Sequence, residues 1–186
     1  MSMNYFYPLL PVAFACASLL AEVLGQIRVD SKIVRASFVA PLPLHGVGEK
    51  VVEPSHVFKN REHFSLEMEF ESELLSLNLD VESGVVFNQK TAKQVVSEAV
   101  VYFKDVYVDP VIELSKRIET HEQEVFILTM TGAGGRTTAF SSVYVKPNCV
   151  IRVEVGQLDF PPHPKPDREK LACFVEEIIR SLQLSL

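Results

Sequence analysis

The clearest pattern in the chain is an alternation over Phe64–Glu71, where Phe64, Leu66, Met68 and Phe70 interleave with Ser65, Glu67, Glu69 and Glu71. A period of two sends these sets to opposite faces of a sheet, so the segment is predicted to be a strand. Leu75, Leu77, Leu79 and Val81 against Ser76, Asn78, Asp80 and Glu82 repeat the pattern. The short gap between the two runs predicts an antiparallel hairpin. Ser83-Gly84 reads as a turn and Val85–Phe87 as a third short strand. Upstream, Ile27–Val39 reads as extended and is stopped by Pro41 and Pro43, which cannot donate to a ladder. His45–Val51, with Gly46 and Gly48, reads as a loop.

The period then lengthens. Thr91 caps a helix predicted to reach Val106, with Ala92, Val95, Val96, Ala99, Val100 and Phe103 as its apolar stripe. Asp109-Pro110, a capping carboxylate followed by a first-turn proline, predicts a second helix over Pro110–Glu119 that buries Val111, Leu114 and Ile118. Strands follow. Val125–Thr131 is apolar on both faces, as a central strand would be. After a Gly132–Gly135 turn, Thr137–Lys146 and Cys149–Val155 complete a three-stranded meander. Pro161, Pro162, Pro164 and Pro166 form a stiff extended connection. Asp167 caps a last helix with a wide apolar face: Leu171, Phe174, Val175, Ile178, Ile179 and Leu182.

The N-terminus supports more than one reading. No charge occurs from Met1 to Ala21. Leu9, Val12, Cys16, Leu19, Leu20 and Val23 recur at helical spacing, which predicts a core helix begun at Pro8 or Pro11 and ended at Gly25. Ala15-Cys16-Ala17 also resembles a signal-peptidase site, and Ala15-Cys16 a lipoprotein box, but the basic n-region of a secretory signal is missing. A membrane span is disfavoured because the stretch is short, contains prolines and runs into Glu22. The expected fold class is α+β. An antiparallel sheet of hairpins and a three-stranded meander is packed on its apolar side by an N-terminal helix, a broken central helix pair and a C-terminal helix, in one domain over residues 1–186.

Composition narrows the function. At 186 residues and 47% hydrophobic, the chain can bury a substantial core. A net charge of -6 without any Lys/Arg-rich run argues against nucleic acid. Cys16, Cys149 and Cys173 form no C-x-x-C pair, so neither a zinc site nor a disulfide framework is expected. This usage fits a reducing, cytoplasmic setting; a functional N-terminal signal would instead place the protein in the periplasm or outside the cell. No cofactor is called for.

Catalytic signatures are sparse. The Gly132–Arg136 loop joins two strand-like runs and lacks a Gly-Lys-Ser/Thr ending, so it reads as a hairpin turn and not a phosphate cradle, with Arg136 at its tip as a candidate partner contact. His45, His56, His63, His121 and His163 form no H-x-x-x-H pair. His56 and His63 bracket a turn and are placed to approach each other, without a visible third ligand. No G-x-S-x-G elbow is present, although triads also assemble from distant residues.

The distinctive feature is acidic. Glu62–Glu82 carries seven acidic residues and no Lys or Arg. Alternation places Glu67, Glu69, Glu71, Asp80 and Glu82 opposite the apolar side chains. Burying unpaired carboxylates is costly, so that face should be wet or should pair with bases from elsewhere. These five residues and Arg136 are the candidate partner-binding set. They point to a non-enzymatic protein-binding module (an adaptor, a chaperone or a toxin-neutralising partner) with a basic partner. The alternatives are a small-molecule binder or enzyme with a pocket between helices and sheet, and a cell-envelope protein with a cleaved or anchored N-terminus.

The closing stretch Phe174–Leu184, Phe-Val-Glu-Glu-Ile-Ile-Arg-Ser-Leu-Gln-Leu, resembles the last helix of the Mog1/PsbP-like superfamily, in which a Phe/Ile-rich helix ending in Ser-Leu follows a meander. The order of elements elsewhere is similar. The resemblance implies a non-enzymatic binding or assembly role, since members include photosystem accessory proteins, a Ran-binding factor and bacterial secretion-effector chaperones. It implies no particular site residues.

Overall fold

The structure, a computed structural model, describes residues 24–43, 50–70, 73–132, 135–145, 147–158 and 167–185. The side chains of residues 24, 40–43, 69, 70 and 73 are not among those described. The N-terminal helix and signal readings and the proline-rich connection lie outside the described residues, except that Gly25 lies within a strand and is not a helix end; of the loop expected over His45–Val51, residues 45–49 lie outside the described set, and Lys50 and Val51 belong to a strand.

In chain order the elements are β1 (Leu24–Val29), β2 (Arg35–Pro43), β3 (Lys50–Val52), β4 (His56–Phe58), β5 (Arg61–Phe70), β6 (Glu73–Ser83) and α1 (Ala92–Lys104). Then follow β7 (Val111–Thr120), β8 (Gln123–Thr131), β9 (Thr137–Val145), β10 (Cys149–Gln157), α2 (Arg168–Ser181) and β11 (Gln183–Ser185). Among the described residues the fold is α+β, with two helices and mostly antiparallel sheets. A seven-stranded antiparallel sheet runs β4-β5-β6-β10-β9-β8-β7. A four-stranded sheet runs β11-β2-β1-β3, with β3 parallel to β1.

The alternation seen in the sequence builds the inner face of the large sheet. Phe64, Leu66 and Met68 of β5 line up with Leu79, Leu77 and Leu75 of β6, and β10 adds Val153 and Val155 in register. All are buried. Onto this face packs α2, whose Leu171, Val175, Ile178 and Ile179 are buried, and Ile27, Val29, Ala36 and Phe38 of the small sheet join the same hydrophobic cluster. Each fully buried side chain of this kind contributes about 1.5–3 kcal/mol. Asp167 caps α2 by accepting the Glu169 N–H at 2.9 Å. Lys116 reaches from β7 to α2, donating to the Glu176 carboxylate at 2.8 Å and lying 3.1 Å from the Cys173 Sγ. The Lys116 hydrogen bond, with one from Arg180, holds the Glu176 carboxyl below its ordinary range. Glu62 also lies on this buried side, where its carboxylate accepts the Lys32 N–H at 3.0 Å.

Four expectations are corrected. Pro110–Glu119, expected as the second half of a broken helix pair, is the edge strand β7. Asp109 has φ 45, which breaks the chain direction, and His121 and Glu122, with φ 52 and 56, form a two-residue turn into β8. A bulge between Leu114 and Lys116 reverses the alternation, so that Leu114 and Ile118 face opposite sides at a spacing that imitates a helix. Val85–Phe87 makes no ladder and runs as an irregular segment. Pro41 and Pro43 do not stop β2; they lie at its end, beyond the reach of β11, which pairs only with residues 35–37. Finally, the helices do not share the apolar side. Phe103 of α1 rests on Phe140 of the other face, at a ring separation of 4.8 Å.

Candidate functional site

The outer face of the large sheet is polar at one end and aromatic at the other. Register places His63, Asp80, Arg152 and Ser142 in one row across β5, β6, β10 and β9. The next row is Ser65, Asn78, Glu154, Phe140, Leu128 and Leu114. The apolar end needs a cover, and α1 supplies it by packing over β7 and β8. That helix begins at a capping box, in which Thr91 accepts the Gln94 N–H and the Gln94 side chain accepts the Thr91 N–H. Leu128, Phe126 and Met130 are thereby buried on this face too.

Because α1 covers only part of the face, a cleft of about 640 Å³ opens between the helix, the segment at 87–90 and the strands. Phe87 and Tyr102 line it while remaining 41% and 59% exposed, which puts them at its rim. Ion pairs organise its polar end. Asp80 receives two parallel bonds from Arg61, Nε at 3.0 Å and a terminal nitrogen at 2.7 Å, and its Oδ1 lies 2.8 Å from His63 Nδ1. Arg152 binds Glu82, and Lys90 binds Glu98. Bidentate, charge-assisted bonds of the Arg61–Asp80 type are the strong members of such networks.

Glu154 differs from its neighbours. It sits half-buried on the cleft floor and makes no hydrogen bond or ion pair among the described residues. Burial pushes its carboxyl above the ordinary range; the Asp80 carboxylate adds to this and His63 opposes it. The Tyr107 hydroxyl is pushed up as well, first by burial and then by the Glu154 charge.

Glu67 is exposed on β5. The Glu69 side chain and Glu71 lie outside the described set. Asp80 and Glu82 pair with bases from neighbouring strands, the second of the two outcomes expected for this face. Arg136 is half-buried and donates to the Leu158 carbonyl. Glu67 is not among the residues lining the cleft, whereas Asp80 and Glu82 are. Arg61, Arg152, Glu154 and Phe140 were not singled out from the sequence. The signal was available, since Ile151, Val153 and Val155 alternate with Arg152 and Glu154 by the same period of two.

The chemistry on offer is charge and hydrogen bonding. His56 and His63 do meet across β4 and β5, stacked at 6.0 Å. No group of three His, Cys, Asp or Glu able to hold a metal occurs among the described residues. The His63 ring contacts Asp80 through Nδ1, and its backbone carbonyl accepts the Ser55 hydroxyl at 2.9 Å; no hydroxyl or thiol among the described residues is hydrogen-bonded to the ring itself. No helix among the described residues is long and apolar enough to cross a membrane.

No protein-family model matches the chain, and no curated protein sequence matches it. Among solved structures, the chain is similar to the Ran-binding protein Mog1p of Saccharomyces cerevisiae, with a TM-score of 0.49 and 12% identity over 80% of this chain and 89% of that one. At that identity, the residues of the outer face must supply the functional reading.

Proposed function

We infer that the chain is a single-domain, non-enzymatic protein-binding module, an adaptor or chaperone, that docks a basic partner on the acidic outer face of β5 and β6. The supporting observation is that α1 packs over the β7–β8 end of this face, while Ser65 and Glu67 at the other end stay exposed. In this reading Glu67, Glu69 and Glu71 make the first contact, and Asp80 and Glu82, each held in an ion pair, add to the acidic character of the face. An acidic surface of this kind speeds the encounter with a basic partner and selects against acidic ones. Capture on the immobilised full chain at low and high salt tests this. Partners recovered at low salt should be lost with Glu67→Lys, Glu69→Lys and Glu71→Lys combined. Capture unchanged by the triple reversal would remove the acidic face as the docking site.

A second reading is favoured by the cleft. Its volume of about 640 Å³ falls inside the range of roughly 300–1,000 Å³ usual for small-ligand sites, and polar groups converge on an aromatic wall there. The two readings use neighbouring parts of one face and are compatible.

A further inference from the structure

The cleft holds more carboxylate than its bases neutralise. Its basic side chains are Arg61, Lys90 and Arg152, and each is already engaged, by Asp80, Glu98 and Glu82 respectively. Glu154 remains on the floor with no donor among the described residues. A half-buried carboxylate in that position is costly, and a bound cation would relieve it.

The surroundings of Glu154 specify what kind of cation. Its neighbours in register are Asn78 on β6 and Phe140 on β9. Phe103 covers Phe140 at 4.8 Å, and Tyr102 meets Phe103 edge-on at 5.0 Å. A positive head group beside Glu154 therefore gains the carboxylate on one side and aromatic faces on the other. Val95, Ala99, Leu128 and Phe87 supply an apolar lining for a hydrocarbon body. A free anion finds every lining base occupied. An inorganic cation finds too few oxygen ligands, since no metal-holding cluster exists among the described residues.

We propose that the cleft between α1 and the sheet binds a small organic monocation, an ammonium head on an apolar body, with the Glu154 carboxylate as counter-ion and Phe140 and Phe103 as its aromatic wall. This rests on the cleft being a ligand site and adds the chemical class of the ligand.

Titration calorimetry on the full chain tests it with three probes of one shape: 2-phenylethylamine, 2-phenylethanol and 3-phenylpropionate. The amine should bind saturably at one site. Glu154→Gln should weaken it about tenfold or more, the loss of one charge-assisted contact. The alcohol should bind the wild type about as weakly as the amine binds Glu154→Gln, and the carboxylate should not bind. Phe140→Leu is a second, independent variant; it should weaken the amine while leaving the alcohol little changed. Urea unfolding of each variant confirms that it folds. Equal binding of amine and alcohol, unaffected by Glu154→Gln, would overturn the cation and leave the cleft an apolar ligand site. Binding of none of the three would overturn the ligand reading itself.

Discussion

The two faces of the seven-stranded sheet are made by the same strands and obey different rules. On the inner face, Phe64, Val81 and Val153 have no exposed surface, and they belong to one hydrophobic cluster. On the outer face, the residues immediately next to them in sequence are His63, Asp80 and Arg152, half-buried and held in a charged network, and Glu154, half-buried beside it. The inner face is specified by volume and tolerates any wetting poorly. The outer face is specified by pairing, and one of its members, Glu154, has no pair among the described residues. The lesson is that a strand's polar set is not simply its solvent side: once α1 covers part of it, the polar set becomes the wall of a cleft.

The most severe way to break this contrast is to empty the inner face. Phe64→Ala should destabilise the fold by about 3–5 kcal/mol, the transfer of the ring plus the cavity it leaves. The shift of the urea midpoint at constant slope reads this directly. A change below about 1 kcal/mol would mean that the inner face collapses around the gap and is not packed as described. The charged network should respond less. Asp80→Asn leaves Arg61 and His63 without the carboxylate that orients both, and should cost about 1–3 kcal/mol. If that face were merely a solvated surface, the same substitution would be nearly neutral, so the size of the loss separates a built cleft from a wet face.

Most of the inner face was legible in the sequence, because an uninterrupted period of two leaves one assignment for each side chain of β5, β6 and β10. The edge strand β7 was not. Its turn, His121-Glu122, adopts positive φ at both residues without the Asn or Gly that usually announces it, and its bulge erases the alternation. His121 instead anchors the turn from outside, its Nε2 lying 2.8 Å from the Ile179 carbonyl on α2. Such a contact between residues far apart in sequence has no local signature. The cleft was half legible: its polar strand residues follow from alternation, but its existence depends on α1 crossing to the outer face, which no local pattern states. A third prediction follows from this turn. Glu122 is exposed and strained, so Glu122→Gly should stabilise the fold by about 1 kcal/mol through relief of the left-handed penalty. An unchanged or lower midpoint would show that the turn carries no strain to release.

The smallest effect should also be stabilising, and unlike that of Glu122→Gly it should depend on pH. Glu154→Gln removes a charge that the outer face does not compensate. In the folded chain the carboxyl keeps its proton to higher pH than in the unfolded chain, first because it is buried and second because Asp80 is near. Between the ordinary value of 4.5 and the raised folded value, the folded state therefore holds more protons than the unfolded state. Stability contributed by the protonated carboxyl is full below that window and is lost as pH rises through it. Glutamine carries no such dependence, so the two proteins should match in acid and the variant should gain on the wild type as pH rises toward neutrality. Urea midpoints measured in parallel from acid to neutral pH read the difference, and a gap that stays constant with pH would mean that Glu154 is compensated after all. The same pair of proteins ties stability to the cleft. An ammonium ligand that neutralises Glu154 should raise the wild-type midpoint at neutral pH by mass action and leave Glu154→Gln nearly unmoved. The network around Asp80 is closed by its own bases; Glu154 finds no such base among the described residues, and an ammonium ligand would close it.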